Sequence, residues 1–149
     1  MPTYAINKRA AFDYEILEKL EAGLVLTGQE VKSIRAGHGK LTGSFVTFHG
    51  SEARLTNFHL PPYRYASHLE GYDPEQSRRV LLKKKQIDYL RGRAEADGLT
   101  IVPLSLYTSG RKIKMAIGLA KGKKKYDKRE AIKKREIQKE MDRGKKSLQ

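Results

Sequence analysis

The stretch RKIKMAIGL, residues 111–119, decides the fold class. Four apolar residues alternate along it with lysine, alanine or glycine: Ile113, Met115, Ile117 and Leu119. Side chains two residues apart lie on the same face of a β-strand, so this period predicts a strand with one buried face. Residues 100–107, TIVPLSLY, form another β-rich run, and Thr108-Ser109-Gly110 supplies residues typical of a turn. The two runs predict a β-hairpin.

Outward from this hairpin, the chain contains further strand patterns. Residues 44–58, SFVTFHGSEARLTNF, predict a second hairpin that turns near Gly50. Residues 13–26, DYEILEKLEAGLVL, are ambiguous, because the first half favours a helix whereas Gly23 and the LVL after it favour a strand. Pro103 cannot donate a ladder hydrogen bond, so we expect its strand to lie at an edge or to contain a bulge.

Two segments have helical patterns. Residues 29–35 predict a short helix closed by Gly37, and residues 83–96 predict a longer one that ends before Gly98. Strands joined by hairpins, with helices covering an end, predict a mainly β fold with accessory helices, and an OB-like barrel is the expected form. We place this barrel at residues 13–120, after a basic, weakly structured N-terminal arm at residues 1–12.

The charge of the chain points to a polyanionic partner. The net charge is +14, and residues 121–149 alone carry 13 Lys/Arg against 5 Asp/Glu. Neutralising phosphates releases counterions and gives affinity without precise geometry. No apolar run approaches the roughly 20 residues of a membrane span, and the N-terminus lacks the apolar core of a signal peptide. With no cysteine in the chain, these features predict a cytoplasmic protein that binds nucleic acid, not a membrane.

Patterns that would indicate an enzyme are missing or incomplete. The segment GHGKLTG at residues 37–43 lacks the glycine spacing of a phosphate-binding loop, and Lys40 is followed by leucine instead of serine or threonine. The four histidines form no spaced metal-binding pair: His38, His49, His59 and His68. The sequence therefore predicts no catalytic residue, no metal site and no cofactor.

Five cations flank the apolar segment VLL at residues 80–82: Arg78, Arg79, Lys83, Lys84 and Lys85. A solvated helix face would have this composition. A patch that faces RNA phosphates would have it as well, because no acidic residue interrupts the cluster. The pattern leaves both interpretations open.

Residues 121–149 form a basic C-terminal tail with little to bury. Asp127 and Glu130 have the spacing of a capping box, and the residues that follow are mostly strong helix formers. Because so charged a helix is marginal in water, we expect the tail to be disordered when free and helical when a polyanion neutralises it. Tyr126 could then stack on an exposed base. A floppy tail that adds only nonspecific affinity is the open alternative.

Ordered motifs along nearly the whole chain resemble those of the SsrA-binding protein (SmpB) family. The matching segments are Asn7-Lys8-Arg9-Ala10, Glu21-Ala22-Gly23-Leu24, Gly28-Gln29-Glu30-Val31-Lys32-Ser33, Arg35-Ala36-Gly37, Asp73-Pro74, Leu81-Leu82, Leu104-Ser105-Leu106-Tyr107, Ala120-Lys121-Gly122-Lys123-Lys124 and Tyr126-Asp127-Lys128-Arg129-Glu130. The resemblance implies an OB-like barrel with a C-terminal tail, and a protein that is not an enzyme.

By this resemblance, the chain is expected to bind the tRNA-like part of transfer-messenger RNA (tmRNA) and to deliver that RNA to stalled bacterial ribosomes. The tail would act in the decoding centre and the vacant messenger channel of the small subunit. A monomer is expected. The alternative is a general ribosomal or structured-RNA-binding protein with a nonspecific basic tail.

The candidate binding residues fall into two sets. On the barrel, the expected contacts to tmRNA are Asn7, Lys8, Arg9, Tyr14, Glu21, Lys32, Arg35, Arg78, Arg79, Leu81 and Lys83. In the tail, the expected contacts to the ribosome are Lys121, Gly122, Lys123, Lys124, Tyr126, Asp127, Lys128 and Arg129. The chain departs from the family pattern at Gly71-Tyr72, at Gln76 and at Lys83. At the position of Lys83, an asparagine or histidine is common in the family. A lysine there can still bind RNA, but as a point charge.

Overall fold

The computed structural model describes residues 2–67 and 69–123. Within these residues, the elements follow in the order β1 (Thr3–Ile6), α1 (Ala10–Asp13), β2 (Tyr14–Leu24), α2 (Gly28–Arg35), β3 (Phe45–His49), β4 (Glu52–Thr56), β5 (Arg78–Leu81), α3 (Lys84–Asp97), β6 (Thr100–Ser109) and β7 (Lys112–Gly122). None of the helices in this part of the chain is both long and apolar enough to cross a membrane.

The strands form one antiparallel sheet that closes on itself. The strand order is β1-β6-β3-β4-β5-β2-β7, and β7 also pairs with β6. Six strands therefore form a ring, and β1 is added to it through β6. Ile34 of α2 and Ile87 and Leu90 of α3 pack into the core that the ring encloses. The mainly β barrel with accessory helices is confirmed.

The hairpin that decides the fold class forms one side of this ring. β6 and β7 pair from Thr100 to Ser109, with an irregularity next to Pro103, as the missing N–H of proline predicts. The four alternating apolar residues of β7 are all buried. The second predicted hairpin is confirmed as β3 and β4.

The ambiguous segment at residues 13–26 is a strand for most of its length. β2 pairs with β7 from Tyr14 to Gly23, and its side chains alternate between more and less exposed positions up to Glu21. Pairing along so many residues outweighs the helix propensity of its glutamates and lysine, because propensity is a weak preference that tertiary contacts override.

Both predicted helices are present, and their ends have clear causes. At the start of α2, the Thr27 backbone N–H donates to Glu30 Oε1 at 3.0 Å, and the Thr27 hydroxyl accepts from the Glu30 N–H at 3.3 Å. This reciprocal capping box stabilises the first turn. Gly37 follows α2 with φ 85°, and Gly98 follows α3 with φ 63°. These left-handed conformations favour glycine and end each helix.

The prediction of a weakly structured arm at residues 1–12 is wrong. Thr3, Ala5 and Ile6 pair with β6, and the Tyr4 hydroxyl bonds to the Thr108 hydroxyl at 2.7 Å. The free edge of β6 supplies backbone partners that the sequence pattern does not reveal. At the other end, β7 continues to Gly122, past the predicted barrel limit at residue 120. The division between barrel and tail stays a prediction, because residues 124–149 lie outside the described residues.

A buried ion pair joins α2 to β5. Arg78 Nε donates to Glu30 Oε2 at 2.9 Å, and both side chains are 2% exposed. The other guanidinium nitrogens donate to the carbonyl oxygens of Phe58 and Pro74, at 2.6 and 3.1 Å, and to the Tyr72 hydroxyl at 3.1 Å. The buried charge is therefore paired and also hydrogen-bonded, which is the condition under which such a pair is tolerated.

The environment of Glu30 keeps its carboxylate ionised. Burial raises the pKa of Glu30, but the Thr27 backbone N–H and the adjacent Arg78 guanidinium lower it, and the net pKa lies below the ordinary value of 4.5. A lowered pKa in the folded state stabilises the fold above the unfolded-state value. This contribution is present above about pH 4.5 and is lost as the pH falls through the lowered pKa.

Replacing Arg78 by methionine is expected to reduce the free energy of unfolding by about 3–5 kcal/mol, because Glu30 would stay buried without its counter-charge. Urea unfolding followed by circular dichroism measures the change.

The matched control is Arg79→Met at the next position of β5. The Arg79 side chain is 55% exposed and lies 3.8 Å from Glu52, so its loss should cost less than about 1 kcal/mol. Equal losses in the two variants would contradict the structural role of Arg78.

Candidate nucleic-acid interface

Two adjoining depressions on the barrel share Gly23, Leu81 and Lys114. We call this combined surface the barrel groove. Beyond the shared residues, one half is lined chiefly by Glu21, Lys83 and Gln86, and the other by Leu26, Val31, Arg111 and Lys112. The structure thus brings the predicted residues Glu21, Leu81 and Lys83 together, although sixty residues of sequence separate the first from the second.

Gly23 lies at the centre of the groove, where β2 pairs with β5 on one side and β7 on the other. It is opposite Leu81 in one ladder and opposite Lys114 in the other. A Cβ atom at residue 23 would lie 3.3 Å from Leu81 Cβ and 3.7 Å from Lys114 Nζ. The absent side chain therefore leaves room for an apolar group and a cation to approach each other across the strand.

The short strand β5 points Leu81 outwards. Its burial alternates, with Arg78 and Val80 buried and Arg79 and Leu81 exposed. Leu81 is 49% exposed. Successive side chains of a strand point to opposite faces, so residues 78 and 81, three positions apart, lie on opposite faces. Burial of the Arg78 side chain therefore turns Leu81 to the surface.

The acidic residue of the groove is held by a tyrosine. The Tyr107 hydroxyl donates to Glu21 Oε2 at 2.5 Å. Burial of the ring, together with the hydrogen bond to Glu21 and the charge of its carboxylate, raises the pKa of Tyr107 to about 12. The bond orients Glu21 and leaves its carboxylate with capacity to accept further hydrogen bonds, for example from an RNA base or ribose.

Three cations of the groove were missed by sequence reasoning: Arg111, Lys112 and Lys114. The signal was present, because Lys112 and Lys114 alternate with buried Ile113 and Met115, and so face outwards. Arg35 belongs with them, since its guanidinium donates to the Arg111 carbonyl oxygen at 3.3 Å. This contact joins the end of α2 to the turn of the β6–β7 hairpin.

A second group of predicted residues lies where the described chain ends. Tyr14 pairs with Gly122 and Glu15 with Lys121 at the start of β2. Lys123 Nζ donates to the Ala11 carbonyl oxygen at 2.8 Å, which holds the end of β7 against α1. Lys8 and Arg9, both exposed, precede the same helix.

Burial contradicts two of the predicted RNA contacts. The Arg78 guanidinium is inside the barrel and fully engaged, as described above. Asn7 is also buried: its amide nitrogen donates to the Pro103 carbonyl oxygen at 2.8 Å, and its amide oxygen accepts from the Ala10 N–H at 3.2 Å. Both predictions are wrong because a side chain engaged in this way holds the fold together and cannot reach RNA. Arg79, one position on, is exposed.

The remaining predicted residues lie on α2 or beyond the described part of the chain. Lys32 is exposed on α2 beside the ring of Tyr63. Lys124, Tyr126, Asp127, Lys128 and Arg129 lie outside the described residues. In the part of the chain that the structure describes, no cluster of three or more His, Cys, Asp or Glu side chains could hold a metal ion.

Comparison with known proteins identifies the family. Residues 4–147 match the family model described as SmpB protein. The chain belongs to the SmpB family. Among curated SmpB relatives, a protein named SsrA-binding protein from Synechococcus sp. (strain JA-2-3B'a(2-13)) is 49% identical over 141 residues, which cover 95% of this chain and 92% of the relative. The SsrA-binding protein of Coxiella burnetii (strain Dugway 5J108-111) is 48% identical over 145 residues, covering 97% and 91%.

The SmpB fold is also found among solved structures. One match has 43% sequence identity and a TM-score of 0.69, and it covers 89% of this chain and 95% of the other. That structure is described as "tmRNA-SmpB: a journey to the center of the bacterial ribosome". The family resemblance inferred from the ordered motifs is confirmed.

Replacing Glu21 by glutamine is expected to lower the pKa of Tyr107 from about 12 towards 10, and only part of the way, because burial of the ring remains. The hydrogen bond stabilises the fold below about pH 10, and this contribution is lost as the pH rises through the raised pKa. Ultraviolet absorbance titration of tyrosine ionisation measures the shift.

Tyr107→Phe is the matched control, since it should remove the ionisation at about pH 12 from the parent titration curve. A Glu21→Gln curve that overlays the parent curve would show that the carboxylate does not act on Tyr107.

Proposed function

We propose that this chain is an RNA-binding adaptor of trans-translation. Its barrel binds the tRNA-like part of tmRNA, and the chain delivers that RNA to stalled bacterial ribosomes, which implies a cytoplasmic location. The observation that carries the proposal is the meeting of Glu21, Leu81 and Lys83 in one groove rimmed by cations. Family membership and relatives named SsrA-binding protein support it.

The groove has the chemistry that structured RNA requires. Phosphates are met by Lys83, Lys114 and the cations of the hairpin turn, and such contacts position an RNA without reading its sequence. Leu81 offers an apolar surface to an unstacked base or a ribose. Glu21 can accept hydrogen bonds from a base edge or a 2′-hydroxyl, and the latter would discriminate RNA from DNA.

The tail has a separate role in this proposal. Residues 121–149 act in the decoding centre and the vacant messenger channel, where their cations meet ribosomal RNA phosphates and Tyr126 stacks on a base. Support comes from the net charge of this segment and from its motifs. Lys121 and Gly122 pair with the start of β2, and Lys123 lies against α1, which sets the point from which the tail continues.

Leu81→Glu is expected to weaken binding of a tRNA-like tmRNA transcript by about 10- to 100-fold, because it removes an apolar contact and adds a charge that repels phosphate. Electrophoretic mobility shift at raised salt measures the affinity, with an unrelated structured RNA as the competitor.

The matched control is Leu17→Glu. Leu17 is 41% exposed on β2 and lies six residues from Gly23, roughly 20 Å along the strand. The Leu17→Glu variant should bind the transcript as tightly as the parent does. Equal loss in both variants would mean that net charge alone governs binding, and equal parent affinity for the two RNAs would favour a general RNA-binding protein.

Removing residues 124–149 is expected to leave transcript binding within a few-fold of the parent while abolishing tagging on stalled ribosomes. The cut lies after Lys123 because an earlier cut would damage the barrel. Ending the chain at Gly118, for example, would delete the buried residues Leu119 and Ala120 of β7. A translation assay with a messenger that lacks a stop codon measures tagging. Lost transcript binding with an unchanged melting temperature would refute this division of roles.

A further inference from the structure

Two tyrosines, Tyr65 exposed and Tyr63 half-buried, form an aromatic surface on the connection between β4 and β5. The rings of Tyr63 and Tyr65 meet edge to face, with centroids 5.6 Å apart and an interplanar angle of 69°. Tyr65 is 75% exposed, more than any other large apolar side chain that the structure describes. We call Tyr63, Tyr65 and the adjacent cations Lys32 and Arg64 the tyrosine platform.

Hydrogen bonds to α2 hold the start of this segment in place. The Ser33 hydroxyl donates to the Pro61 carbonyl oxygen at 2.6 Å, and the Tyr63 backbone N–H donates to Gln29 Oε1 at 2.9 Å. Ser33 is buried, so the first of these bonds is shielded from water. A backbone held in this way reduces the conformational entropy that the segment loses when it binds a ligand.

A cationic side chain lies next to each tyrosine ring of the platform. Lys32 Nζ lies 5.8 Å from the Tyr63 ring centroid, and Arg64 Cζ lies 5.6 Å from the Tyr65 ring centroid. In residues 2–67 and 69–123, neither cation forms an ion pair with a carboxylate. Two exposed charges without counter-ions in the described residues, beside one open and one half-buried ring, suit an anion that also carries a flat ring, such as a nucleotide.

The platform continues the barrel groove across α2. Lys32 and Arg35 are three residues apart on the helix and therefore share a face. Arg35 bonds to the Arg111 carbonyl oxygen at the rim of the groove, whereas Lys32 lies over the Tyr63 ring. One RNA could therefore follow a row of cations from the groove to the tyrosines.

We propose that the tyrosine platform binds an unpaired base of the same RNA that occupies the barrel groove. Tyr65 stacks on the base, and Lys32 and Arg64 contact the flanking phosphates. Single-stranded loops display unstacked bases, and stacking on an aromatic ring accepts any base. The identity of the RNA rests on the proposed function; the stacking itself rests on the geometry of the platform.

The absence of tryptophan from the chain allows a direct test. Tyr65→Trp in the full chain places its single tryptophan on the platform, and a tRNA-like tmRNA transcript should quench the tryptophan emission, whereas a blunt RNA duplex should not. Tyr89→Trp is the control, because Tyr89 is an exposed tyrosine of α3 outside the platform. Quenching at residue 65 alone supports the platform, even if the transcript is bound no better than unrelated RNA. Equal quenching at both positions, or none at residue 65, overturns it.

Affinity measurements test the same contact without a reporter. Tyr65→Ala should weaken transcript binding roughly 10-fold, and Tyr65→Phe, which keeps the ring, should not. Because Tyr65 is so exposed, both variants should melt like the parent. If Tyr65→Ala binds like the parent while Leu81→Glu has lost affinity, the platform is refuted and the proposed function stands. If the parent itself does not prefer the transcript, the proposed function fails, and the fluorescence result decides the platform.

Discussion

The buried pair of Arg78 and Glu30 connects three elements that carry residues of the candidate interface. It joins α2, which carries Lys32 and Arg35, to β5, which carries Leu81. Through the Tyr72 hydroxyl and the carbonyl oxygens of Phe58 and Pro74, it also anchors the connection on which the tyrosines lie. One charged pair, hydrogen-bonded in a low-dielectric interior, thereby ties the Leu81 strand of the groove to the helix and to the platform.

The pair also explains how an apolar side chain comes to lie among cations. A strand alternates its side chains between two faces, so Arg78 and Val80 inside require Arg79 and Leu81 outside. Tyr72, where the chain departs from the family pattern, takes part in the same network. Its hydroxyl accepts a hydrogen bond from Arg78 and donates one to the Leu60 carbonyl oxygen at 2.9 Å. The tyrosine therefore serves the buried network that supports the RNA-binding face.

Local patterns predicted the elements well and the roles of single residues less well. Alternation identified β7, glycines marked where α2 and α3 end, and the ordered motifs identified the family. The cluster at residues 78–85 shows the limit: its five cations look alike in sequence, yet Arg78 is buried and Arg79 is exposed. Which arginine faces the core depends on Glu30, which lies 48 residues away, and no local pattern contains that contact.

The sequence by itself determined the class of fold, the basic character and the family, because periodicity, composition and motif order are properties of the chain read in one dimension. Only the tertiary structure decided which residues meet. It made the N-terminal segment a strand by offering it the free edge of β6, and it brought Glu21, Leu81 and Lys114 to one groove through pairings around Gly23. Such contacts depend on sheet closure and on burial of charge, which act between segments distant in sequence.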